Sequence, residues 1–112
     1  DRDDHRALVS AIAATLAERE NPVSEALDLG RAWGRLLPVP EGGLAAVMAR
    51  SGFTPRATAH GLELQTCPLL DAARSRPAVV CTMHQGLIDA ISGTPATLEP
   101  FAGPGYCLVR TQ

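Results

Sequence analysis

Four residues in the C-terminal half have the chemistry to hold a metal: Cys67, Cys81, His84 and Cys107. Thiolates are soft donors suited to zinc or to an iron–sulfur cluster, and an imidazole nitrogen completes a Cys3His set. Cys67 stands directly before Pro68, and Cys81 follows shortly after Pro77. Proline favours the first position of a helix, so Cys67 is expected at a helix N-cap and Cys81 in the first turn of the next helix. Helix N-termini carry partial positive charge and free N–H groups, which lower a thiol pKa. His84 lies three positions after Cys81, so both side chains project from one helix face. Cys107 falls in the strand-like "YCLVRT", on the same face as Val109 by simple alternation. Three thiols on separate elements are thereby placed where they could converge on one point.

Other readings use the same residues. No CxxC occurs, so the spacing is neither a zinc finger nor a zinc ribbon. Free cysteine often packs as a small hydrophobe, and a histidine on an apolar helix face is commonly a hydrogen-bonded core residue. A redox-reactive cysteine pair is a third reading. Spacing alone leaves core filling ahead. His60, at the hairpin tip "AHG", reads as a polar turn residue and His5 as solvated. Trp33 reads as core or dimer interface, and Asp71 with Arg74 as a surface ion pair. There is no GxSxG elbow, glycine-rich phosphate loop or HExxH, and a Cys81–His84 dyad lacks an orienting third group. The chain does not read as an enzyme.

The elements that must position these residues follow from periodicity. "DDHRALVSAIAATLAERE" places Leu8, Ile12 and Leu16 on one helical face. In "NPVSEALDLGRAWGRLL", Asn21 is the cap, Pro22 the first helical residue, and Val23, Leu27, Gly30, Trp33 and Leu37 the stripe. The two helices predict an αα-hairpin. Leu44, Val47 and Met48 mark a third short helix ending at Gly52. "FTPRATAHGLELQTC" then alternates as a β-hairpin with Leu62, Leu64 and Thr66 on one face. Pro68 opens "PLLDAARSR", and Pro77 opens "PAVVCTMHQGLIDAIS", whose core stripe is Val80, Met83, Leu87 and Ile91, with Gly93 as stop. "ATLEPFA" and "YCLVRT" are strands around a "GPG" turn. The order ααα-ββ-αα-ββ predicts an α+β domain, an N-terminal helical hairpin plus a small antiparallel sheet packed with two helices. Residues 1–52 form a helical segment suited to dimerisation, and residues 53–112 a cysteine-containing sensor region of the same compact domain.

Composition bounds the function classes. At 112 residues, 46% hydrophobic and 20% charged, the chain is long and apolar enough for a core and is not disordered. No apolar run is long enough to span a membrane, and no signal peptide is visible. Every basic residue besides histidine is Arg, and the net charge of −2 leaves no basic stripe for gripping nucleic acid. Three cysteines make an odd and sparse set for a secreted disulfide scaffold, so a cytoplasmic protein is expected. A start at Asp1 rather than Met suggests a piece of a longer protein.

The stretch "SGFTPRATAHGLELQTCPLLDAARSRPAVVCTMHQGLIDAI" with "LEPFAGPGYCLV" resembles the sensor half of a bacterial winged-helix regulator family, the iron–sulfur repressors of the SufR type and their actinobacterial relatives. The shared features are a "GF-x-P" entry, a "CP" helix start ending in "A-R", "P-x-V-V-C-x-x-H-x-G-L", and "L-E-P-F" before a final cysteine. "LGRAWGR" fits as well, and the resemblance covers nearly the whole chain. It implies a preceding winged helix-turn-helix that binds operator DNA, a homodimer built by the helical half, and a [4Fe–4S] cluster on Cys67, Cys81 and Cys107. Some relatives carry a further cysteine between the second and third of these, and this chain lacks it. The fourth iron position then falls to His84 or to a small exogenous ligand. The alternative expectation is a dimerisation or small-molecule-binding regulatory domain with structural zinc or inert buried cysteines.

Overall fold

A computed structural model describes residues 2–111 and, for side chains, residues 5–111. The elements run α1 (Arg2–Ala17), α2 (Pro22–Leu36), α3 (Gly43–Arg50), β1 (Pro55–Thr58), β2 (Gly61–Leu64), α4 (Leu70–Ser75), α5 (Pro77–Ile91), β3 (Ala96–Gly103) and β4 (Tyr106–Thr111). The four strands form one antiparallel sheet in the order β1-β2-β4-β3. The α+β class and the order of elements match the expectation from sequence. Among the described residues, no helix is long and apolar enough to cross a membrane.

The core is centred on α5. Its first turn starts at Pro77, and Val79, Val80, Met83, His84, Leu87, Ile88 and Ile91 are all buried. They pack against Leu64 and Val109 of the sheet and against Met48 and Phe53. The main partner of α2 is α5, and α1 touches α2 more lightly. The reason lies in small residues. The buried positions of α2 are Ala26, Gly30 and Gly34, while Val23 is exposed. A Cβ on Gly30 would overlap the carbonyl of Met83, and one on Gly86 would overlap the carbonyl of Leu27. The two helices therefore cross backbone to backbone. In α1 the inward face is Val9, Ile12, Ala13 and Leu16, with Leu8 outside it at 58% exposure.

The end of α3 explains the "GF" pair. Gly52 has φ +97° and follows the C-cap Ser51. The Phe53 N–H donates to the Met48 carbonyl at 2.9 Å, and the Gly52 N–H donates to that of Ala49 at 3.2 Å. These two bonds form a Schellman motif. They turn Phe53 into the core, where it is fully buried.

Candidate metal centre

Cys67, Cys81 and Cys107 are free thiols on three separate elements, and with His84 they line one small cavity. Its volume is about 10 Å³, space for a single water-sized sphere. Leu69, Val80, Leu98 and Phe101 complete much of its wall. The fold therefore brings the four candidate donors to one cavity.

Two local expectations are corrected. Cys67 is not an N-cap: β2 ends at Leu64, Pro68 opens a turn closed by the Leu70 N–H on the Cys67 carbonyl at 3.1 Å, and α4 begins at Leu70. α5 begins at Pro77 as expected, which makes Cys81 its fifth residue, at the start of the second turn rather than in the first. The expected lowering of the thiol pKa also fails. Burial pushes Cys67 up to about 11, opposed by a hydrogen bond from the Leu69 backbone and reinforced by Cys107. Burial, then Cys107 and Cys67, push Cys81 up to about 11 as well. Desolvation is the largest influence at both positions.

Cys107 sits on β4 opposite Leu64 of β2, buried on the face it shares with Val109. His84 is 3% exposed and lies flat on Phe53, with ring centroids 4.3 Å apart and planes 21° from parallel. Its Nε2 is buried without a hydrogen-bond partner in the protein. An unpartnered buried ring nitrogen is costly, and metal ligation is one way to satisfy it. Burial lowers the His84 pKa to about 4, which keeps the imidazole neutral and its lone pair free to coordinate. The donor set thus suits a thiophilic metal group. Among the described residues, no three His, Cys, Asp or Glu side chains stand close enough to hold one metal ion. Zn–S bonds of about 2.3 Å require thiolates within about 4 Å of one another. A cluster spreads its thiolates over different irons and so tolerates a wider set.

Two further residues shape the cavity without donating to it, and sequence reasoning missed both. Gln85 bridges α5 to the sheet edge: its amide NH2 donates to the Ala96 carbonyl at 3.0 Å, and its oxygen accepts from the Leu98 N–H at 2.7 Å. Nothing in the local sequence marks Gln85, since its role depends on an edge strand remote in the chain. Phe101 is an exposed aromatic with φ 51°. Its signal was available in Pro100, because proline inside a strand pattern points to an edge or a bulge.

The remaining candidates lie apart from the cavity. His60 is exposed in the β1–β2 turn, where its N–H donates to Thr58 Oγ1 at 3.2 Å. His5 is exposed on α1, and Trp33 packs half-buried against the core. Asp71 approaches Arg6 of α1 at 3.9 Å, in place of the expected Arg74 partner. Comparisons with family models, with curated proteins and with solved structures find no match for this chain.

Proposed function

We propose that this chain is the sensor domain of a bacterial DNA-binding transcriptional regulator. Cys67, Cys81 and Cys107 hold a [4Fe–4S] cluster, and the neutral His84 is the candidate for the fourth iron position. The observation that carries the reading is the shared cavity, onto which three free thiols and a buried histidine with an unpartnered Nε2 all face. When bound, the cluster supplies a bond network sensitive to oxidants and to iron supply.

The chain's own residues give that signal a route. Cys81 and His84 are on α5, whose other side crosses α2 at Gly30 and Gly86 with no side chain between the backbones. A shift of α5 is therefore a shift of α2. The helical half then carries it to a homodimer partner and to a winged-helix domain in the full protein. A differential stabilisation of about 1–3 kcal/mol between two states suffices for such coupling.

A second reading has one observation in its favour. Burial raises the Cys67 and Cys81 pKa values, as in inert core thiols of a purely dimerising or small-molecule-binding domain. Anaerobic incubation with ferrous iron, sulfide and a reductant separates the two. The sensor reading expects broad thiolate-to-iron absorbance in the wild type and its loss in Cys67→Ala, Cys81→Ala and Cys107→Ala. A colourless, iron-free wild type with all thiols still titratable would establish the inert reading instead.

A further inference from the structure

The last two strands pair regularly from Ala96↔Thr111 to Glu99↔Leu108 and meet again at Gly103↔Tyr106. Between those points Pro100, Phe101 and Ala102 stand opposite Cys107 alone, so β3 bulges directly over the buried thiol. Both ends of the bulge are fixed. Glu99 accepts a hydrogen bond and ion pair from Arg110 at 2.6 Å, and the Tyr106 ring covers Gly103, leaving no space for a Cβ there. Upstream, Gln85 ties the same strand to α5.

Within the bulge, Phe101 is in the left-handed backbone region, an outlier for a bulky residue. Its ring lines the thiol cavity yet is 48% exposed. Leu69, Ala73, Val80 and Leu98, which line the same cavity, are buried in the core. A cavity of about 10 Å³ admits a water-sized sphere and not a cube of four irons and four sulfides, so the wall would have to widen before a cluster fits. Phe101 is the most exposed part of that wall and the strained one, while Cys67 and Cys81 are half-buried.

Resting on the site reading above, we propose that residues 100–102 are the gate of the thiol cavity, with the Phe101 ring as its lid. The lid screens Cys107 from solvent and reagents, swings outward to admit a cluster, and limits the access of oxidants to the loaded site. The gate is tested first on the protein without added iron, by timed iodoacetamide labelling with mass-spectrometric readout at Cys107. Labelling tracks the population of the open form, so Phe101→Ala is expected to accelerate it roughly fivefold or more, while Phe101→Leu stays near wild type. Matching thermal melts for the three proteins assign the acceleration to local opening. An unchanged Cys107 rate in Phe101→Ala overturns the gate, whatever the protein binds. In iron-loaded protein, Phe101→Ala is expected to bleach faster in air from the same starting absorbance, and equal bleaching rates also count against the gate. Failure of the wild type to take up iron instead overturns the site reading and leaves the labelling result to decide the lid.

Discussion

His84 carries more of the account than its single ring suggests. It stacks on Phe53, its Nε2 lacks a partner, and burial holds its pKa near 4, below the ordinary 6.5. Between these values the unfolded chain binds a proton that the folded chain refuses. Stability is therefore full above about pH 6.5 and is lost as pH falls toward 4, by roughly 2–3 kcal/mol for this group alone. Urea melts of the iron-free protein at pH 7.5 and 4.5 measure the loss. His84→Phe keeps a ring on Phe53 and is expected to remove that part of the pH dependence; an unchanged slope would place the titration elsewhere. The sequence marks His84, Cys81, Cys67 and Cys107 as candidate donors because donor type and spacing are local properties. It misplaced the sign of the thiol shifts because desolvation depends on what the whole fold packs over them, and no short stretch reports that.

At the scale of elements, the α2–α5 crossing is the feature that counting hydrophobic residues hides. Leu27 and Trp33 are visible in the sequence as a stripe, yet the tightest approach is made by Gly30 and Gly86, which add nothing to such a stripe. Gly30→Ala gains helix propensity worth about 1 kcal/mol but drives a methyl into the Met83 carbonyl, so a net loss of roughly 2–3 kcal/mol is expected in denaturant melts. Gly93→Ala meets open space and is expected to be neutral or slightly stabilising, which makes it the control. Gln85 is the second such element-level device. Gln85→Leu strands the Ala96 carbonyl and the Leu98 N–H at the edge of β3, at a cost of about 1–3 kcal/mol. Hydrogen exchange at the Leu98 amide should accelerate accordingly, and a protected Leu98 in that variant would show that the clamp is dispensable. The helices and strands themselves were legible from period and from Pro22 and Pro77, which start α2 and α5. Pro68 misled, because it opens a turn and the helix waits for Leu70.

For the whole molecule, one chain of contacts joins the cavity to the helical half. The thiols touch α5, α5 lies on α2, and the β3 edge is held to α5 by Gln85. On the proposed reading, a cluster held there would cross-link the α4 approach, α5 and β4, elements distant in sequence, and its loss would free all three. The antiparallel sheet with its hairpin turns, and the helices laid on it, are readable in the sequence as an α+β arrangement. The bulge over Cys107 was not, since only the pairing register of two strands reveals that three residues face one. The central claim is that this fold builds an iron–sulfur site from Cys67, Cys81 and Cys107, and Mössbauer spectroscopy of anaerobically reconstituted protein enriched in iron-57 tests it most directly. The account predicts the signature of a [4Fe–4S] cluster that disappears in Cys107→Ser. Iron bound only as isolated ions, or no bound iron while the three thiols remain free, would contradict it.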